Sequence, residues 1–600
     1  MKRTLFVISV ATFCSACAPR PAIPSATSTA ILAPTSAPAP SASPPPPSSP
    51  STALSSRIDP LFAPLTKTAR AGCALGIYRA GEVLFSRGYG LANLELDVPL
   101  ATDDVFDVAS ISKQFTALAV LLLEHEGRLS LEDDVRKYVP EIPDYGRPLR
   151  IRHLLHHTGG LREYNDLLPL AGRENDRVTD DDLLRLLHVQ KAPNFAPGTR
   201  FEYSNMGYAV LAVVVKRVSG MPFSAFAKQR IFDPLEMKNT TVLDDHHAVV
   251  QHRATGYVAH KGGAYTTAVS RWEHPGPSRV GTTIDDLAKW DTNFYEPRVG
   301  DRAILQELRT PGTLDDGKPL HYAAGLFVET RKGRVVEEHS GSTGGYQSEL
   351  IRYPNERITI ACLCNAESDP DADPFTLANA VSAIALPPQP SRARDAGASS
   401  VPVKPSYEGT DADFDEVVGA YYNPLTFDLR TARRDGGHIV LGYGLEPGGR
   451  SATFTPDARR SFLSADGTTH YRFQPGAVPS LARLVRSSGN DPDPEMTFVR
   501  FEPAKIEAAK LFEYAGRYTS DEVAREVELS VVDGKLRIAT WGHAPDPEPL
   551  SALARDLFHL GEGGVQFERD ARGRIRGFSA SSYGYHGIRF VRSIHPPSYP

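Results

Sequence analysis

Cysteine is scarce in this chain. Only five occur in 600 residues, and Cys14 and Cys17 belong to the export-like start. That leaves Cys73, Cys362 and Cys364, too few for a disulfide framework. Cys362 and Cys364 flank Leu363 in a strand-like run, so both point to one face. A bridge from Cys73 to one of them is open in an exported protein, but buried thiols are the expected state. A surplus of charge is missing too: 66 Lys and Arg stand against 72 Asp and Glu, without a long basic run. This argues against nucleic acid as a partner. No G-x-S-x-G occurs, which excludes a nucleophile elbow of that kind.

What is present begins with Lys2 and Arg3, the apolar run "LFVISVATF" and small residues around "CSACAP". This order reads as an export signal, residues 1–17, and its apolar run is too short to span a bilayer permanently. "CSAC" is similar to a bacterial lipobox, which would make Cys17 the lipidated residue, although Cys14 stands where Leu is usual. Ala16-Cys17-Ala18 also fits a cleavage site that would release a soluble protein. The long tether that follows favours the lipid. Residues 18–56, with "PTSAPAPSASPPPPSSPS", form a Pro/Ser/Ala-rich spacer with little to bury. The expected location is therefore the periplasm or cell envelope, with membrane contact only through that lipid.

Six hundred residues are too many for one core, so several domains are expected. "CALGIY" and "EVLFSRGYG" alternate around Ala80-Gly81 as a hairpin. From about Ser110, the residues Ile111, Phe115, Leu118, Ala119 and Leu122 line one face of a helix that Gly127 ends. Further helices are expected at 179–188, 206–218, 222–230 and 284–294. Strands return at "AAGLFVET", "RVVEEH", "SELIRYP" and "RITIACLC". Strands at both ends with helices between predict one sheet assembled from distant parts of the chain, over residues 57–385.

A second Pro/Ser/Ala-rich linker occupies 386–410. Beyond it, 411–503 and 508–593 resemble each other: "VVGAYYNP" corresponds to "EYAGRYTS", and "MTFVRFEP" to "IRFVRS". Gly419 and Gly516 lie 97 residues apart, Phe498 and Phe590 lie 92 apart. Consistent offsets indicate a duplication, read as two small antiparallel β-barrels or sandwiches.

Three stretches carry candidate chemistry. "VASISKQF" sets Ser110 three residues before Lys113, on one helix face. A partly desolvated Lys there can accept the Ser proton, and amides at the helix start face a developing oxyanion. "FEYSNMGYAVLAVVV" puts Tyr203 and Asn205 just before an apolar helix. They can exchange protons and hold a substrate carbonyl, or simply pack and cap the helix. "EEHSGSTGG" places His339 and Gly341 at the edge of a strand. His153, His156 and His157 have the spacing of metal ligands but no matching Asp, Glu or Cys pattern, so metal binding is not expected.

Together these elements, with "IRHLLHHTGGL", "FAPGTRFEYSN", "TTIDDLAKW" and "YPNERITIACLCN", resemble the serine β-lactamase and penicillin-binding protein superfamily. The likeness is to its class C, esterase and D-aminopeptidase-like branch. It implies an α/β (α+β) catalytic domain whose central antiparallel sheet is flanked by helices, followed here by the two barrels. It makes Ser110 the nucleophile, Lys113 its proton partner and Tyr203 the general base. Asn205 would orient the substrate, and the amides of Ser110 and Ser342 would hold the oxyanion. No cofactor is implied.

The chain departs from the pattern at His339, which stands where penicillin-reactive members usually carry Lys. A mostly neutral imidazole removes a cation from the pocket. His339, Gly341 and Ser342 are therefore expected in the pocket wall. Ser278-Arg279 in "PSRVGTT" replace glycines, with Arg279 read as a solvent-facing loop residue or a charge at the pocket rim. The function expected is hydrolysis of small amides, peptides or esters, D-amino-acid peptides among them, through an ester at Ser110. A carboxylesterase and a non-turning-over sensor of peptidoglycan fragments are the alternatives. A barrel loop is one way to narrow the cleft, and the oligomeric state is left open.

Overall fold

The computed structural model describes residues 50–67, 69–388, 407, 409–444, 451–464, 469–476, 482–488, 495–539, 548–561 and 563–593. Cys17, the export segment and most of both linkers lie outside the described residues.

A helix, α1 (Pro50–Thr66), reaches into the stretch expected to be spacer. It does so because Ile58, Phe62 and Leu65 fall on one face and are fully buried. The predicted hairpin forms between β1 (Cys73–Arg79) and β2 (Glu82–Tyr89). Next come α2 (Ser112–His125), α3 (Asn205–Ser219) and α4 (Ile284–Asn293). Gly127 takes φ 68° two residues beyond α2, a conformation that suits glycine.

Four more strands, β3 (Phe327–Arg331), β4 (Arg334–Thr343), β5 (Tyr346–Tyr353) and β6 (Ile358–Cys364), precede the helix α5 (Pro374–Ala385). The sheet runs β3-β4-β5-β6-β1-β2 with antiparallel neighbours, so the amino-terminal hairpin is paired to the last strand. α1 and α5 cover one face, and α4 lies against the other. β6 is buried along its whole length, as its unbroken apolar run requires. Its register sets Cys73 opposite Cys364, and these two form a disulfide. The expectation of buried thiols therefore holds only for Cys362. The bridge forms because two central strands, far apart in sequence, place both sulfurs in one register.

Eight strands within residues 419–501 close into an antiparallel barrel. Nine strands within 516–592 form a second sheet. Its edge strands, Glu548–Pro549 and Ser551–Ala554, are separated by Leu550 alone, so it is nearly but not fully closed. The sequence repeat has a structural counterpart. Tyr421 Oη donates to Val417 O (2.7 Å), and Tyr518 Oη to Tyr514 O (2.6 Å). Arg500 donates to the carbonyls of Glu416 and Val418, as Arg592 does to those of Glu513 and Ala515. A Cβ on Gly419 or Gly516 would meet the respective guanidinium, which explains the glycine in both copies.

Candidate active site

Ser110 sits in one turn of 3-10 helix, Ala109–Ile111, that leads directly into α2. Ala109 before it adopts φ 47°, a strained value for a residue with a Cβ. Its N–H donates to Asp107 Oδ1 (3.0 Å), and Asp107 Oδ2 accepts from Arg279 Nη1 (2.9 Å). Asp107 and Arg279 are both almost wholly buried. Arg279 is therefore neither a rim charge nor a solvent-facing residue: it pairs with the carboxylate that holds the Ser110 turn. Ser348 Oγ donates to Val108 O (2.9 Å) on the same turn.

Gly341 explains itself by space. A Cβ there would lie 2.5 Å from Val108 O and 2.8 Å from Ala109 Cβ, so only glycine lets β4 press against the turn. That contact carries Ser342 to the pocket that Ser110 also lines.

Lys113 is fully buried, and its Nζ has three oxygen neighbours. Asn205 Oδ1 lies at 2.7 Å, Pro277 O at 2.9 Å and Ser110 Oγ at 2.9 Å. Burial holds its pKa well below the usual lysine value, against an opposing pull from Glu163. Two of these neighbours are carbonyl oxygens that can only accept. A neutral amine has two N–H groups, and the carbonyls take both. Its lone pair then faces Ser110 Oγ.

Tyr203 Oη donates to Ser110 Oγ from the other side (3.0 Å). Burial raises the phenol's pKa strongly, and Lys113 Nζ lies 4.8 Å from its ring centroid without offsetting that rise. Tyr203 is thus a neutral donor to Ser110 in the resting site. His157 and Tyr322 pack around Tyr203, with ring centroids at 4.2 and 6.3 Å.

His339 is buried, with Nδ1 2.6 Å from Ser340 O and Nε2 3.1 Å from Tyr322 Oη. The carbonyl can only accept, so Nδ1 carries the proton and Nε2 accepts from the tyrosine. Burial and Lys113 lower its pKa to about 3, so it is uncharged. The other histidines are occupied separately. His153 Nδ1 accepts from Arg150 N–H, His157 Nδ1 accepts from Ser204 N–H, and His156 packs on Gly312.

Ser110, Tyr203, His339, Gly341 and Ser342 line one pocket of about 480 Å³, while Lys113 and Asn205 lie behind it. Phe327, Pro374 and Phe375 add apolar wall, and Asp373 is the one formally charged side chain in the lining among the described residues. Among the described residues, none of the carboxy-terminal sheets lines it. Sequence reasoning missed Asp107, Glu163, Tyr322 and Asp373, because no local spacing marks them, and it read His157 only with its neighbours His153 and His156, not as packing on Tyr203.

The chain is similar to known proteins. Residues 58–383 match the family described as Beta-lactamase. The chain belongs to that family. The β-lactamase family match takes in every residue of the pocket. Beyond it, a D-aminopeptidase of Brucella melitensis is 25% identical over 539 residues, 87% of this chain and 95% of its own length. Penicillin-binding protein 4* of Bacillus subtilis is 32% identical over 304 residues, 48% of this chain and 67% of its own. The octameric penicillin-binding protein homologue from Pyrococcus abyssi superposes with a TM-score of 0.50 at 22% identity, over 75% of this chain and 99% of that one. The chain is thus a serine hydrolase of the β-lactamase-like family, with a β-lactamase-like α/β fold followed by barrel-like sheets.

Proposed function

We propose that this protein hydrolyses small amides or esters of D-amino acids that keep a free amino group, through an ester at Ser110. The observation that carries the reading is the hydrogen-bond chain through Ser110. Tyr203 Oη–H donates to Ser110 Oγ, and Ser110 Oγ–H faces the lone pair of Lys113. Attack on the carbonyl carbon moves the Ser110 proton to Lys113 Nζ. The carbonyl oxygen takes up negative charge facing the amides of Ser110 and Ser342. Tyr203 gives its proton to the leaving amine or alkoxide and is resupplied from Lys113. Water then attacks the ester by the reverse path, returning Ser110.

Two features support the substrate class. Among the described residues the lining carries Asp373 and no cationic side chain, so it suits an ammonium group better than a carboxylate. Phe327 and Phe375 offer apolar surface for a side chain. The similarity to a protein named D-aminopeptidase spans most of both chains. Action outside the cytoplasm is supported by the export-like start and the Cys73–Cys364 bridge, a bond that persists in oxidising compartments.

The test uses the purified protein and Ser110→Ala with a fluorophosphonate probe, then a panel of D- and L-aminoacyl amides, N-acetylated analogues, simple esters and a chromogenic cephalosporin. Labelling that vanishes in Ser110→Ala, with turnover of free D-aminoacyl amides, is the expected result. No labelling dependent on Ser110 overturns the mechanism. Turnover of simple esters alone makes the protein a carboxylesterase. Labelling without turnover makes it a sensor.

A further inference from the structure

Residues 162 and 163 join the catalytic part to the second carboxy-terminal sheet. Buried Arg162 pairs with Glu522 (2.5 Å) and donates to His586 O (2.6 Å). Glu163 N–H donates to Gly584 O (2.7 Å). The loop 582–587 is pressed close here. A Cβ on Gly584 would lie 1.7 Å from an Asp166 carboxylate oxygen and 2.7 Å from Glu163 Cβ.

On its other side Glu163 reaches the active site. The residue is 8% exposed, and its carboxylate accepts from the N–H of Asn205 (2.5 Å) and of Asn165 (3.2 Å). α3 begins at Asn205, and the residue before it, Ser204, makes no side-chain capping bond. Glu163 therefore supplies, from another segment, the acceptor that a helix start needs. Asn205 in turn holds Lys113 through Oδ1.

We propose that Glu163 is a positioning residue for acylation of Ser110. Its carboxylate holds the first turn of α3, and with it Asn205, while its charge faces Lys113. The 582–587 loop of the second sheet keeps it in place. This inference rests on the roles proposed above for Ser110 and Lys113.

The titratable groups facing Glu163 are Lys113 from α2, Tyr203, and its near neighbours Tyr164 and Asp166. Burial lifts its carboxyl to about 7. Ionised, it favours the ammonium form of Lys113, and acylation needs the amine. Glu163 thus trades some basicity control for geometry: its charge pushes the acid limb of the rate profile upward, while its oxygens hold Asn205.

The test is the pH dependence of fluorophosphonate labelling in the full chain, for wild type, Glu163→Gln, Glu163→Asp and Gly584→Ala. Labelling of wild type at Ser110 is the starting condition, and its absence refutes the proposed function rather than this inference. Glu163→Gln, which keeps an acceptor but loses the charge, is expected to move the acid limb down by about one pH unit or more. Glu163→Asp keeps the charge and therefore the limb, but its shorter reach lowers the plateau rate roughly tenfold. Gly584→Ala, acting from the sheet side, lowers the plateau without moving the limb. An acid limb in Glu163→Gln identical to wild type overturns the charge role. Full plateau rates in Glu163→Asp or Gly584→Ala overturn the positioning role, and these two decide it even if the Gln variant does not fold.

Discussion

Asp107 and Arg279 sit behind the Ser110 turn and do not line the pocket. Their pairing in an almost dry interior leaves each charge dependent on the other. Arg279→Ala strands the carboxylate that holds Ala109, and is expected to destabilise the protein by about 3–5 kcal/mol. A urea denaturation series measures it, and an unchanged midpoint would mean that Asp107 finds another partner. Ser110, Lys113, Tyr203 and Asn205 were legible as residues because their chemistry depends on local spacing at two helix starts. Arg279 was not. It meets Asp107 across 172 positions, and a lone charge in a loop carries no mark of burial.

Among elements, the disulfide has the clearest consequence. It closes a separation of 291 residues between β1 and β6. Cys73→Ser is expected to cost about 2–5 kcal/mol, read as a lower midpoint in chemical denaturation. Equal midpoints would show that strand pairing alone sets this contact. Most helices and strands of the catalytic part were legible, since apolar periodicity is local. α1 was not, because Pro60, Pro64 and the Pro/Ser-rich run before it mask the face that Ile58, Phe62 and Leu65 bury. The duplicated Tyr and Arg bonds were legible only as a repeat of spacing. What the repeat does, holding the chain at the start of each sheet, appears with the hydrogen bonds.

At the scale of the molecule, burial leaves seven histidines among the described residues with pKa values below the usual 6.5: His153, His156, His157, His274, His339, His559 and His586. Each takes up a proton more readily in the unfolded chain. Their contribution to stability is therefore present above about pH 6.5 and is lost as pH falls toward 4. Buried carboxyls pushed upward, Glu163 and Glu349 foremost, act in the opposite sense and blunt the effect. With histidines in the majority, Tm at pH 5 is expected to fall below that at pH 7 by ~5 °C or more. A flat Tm between these pH values would mean that the histidines protonate without unfolding.

The sequence by itself determined the chemistry on offer: a Ser and a Lys one turn apart, a Tyr-x-Asn before an apolar helix, and a glycine two places after a strand histidine. These rest on side-chain type and short-range periodicity, which the chain carries without folding. Tertiary structure decided the proton positions and the supports. Two carbonyls from distant segments take the N–H groups of Lys113, burial keeps Tyr203 a phenol and His339 neutral, and Glu163 links α3 to the second sheet. Desolvation and long-range hydrogen bonding arise only when segments tens to hundreds of residues apart come together, so no local pattern can encode them.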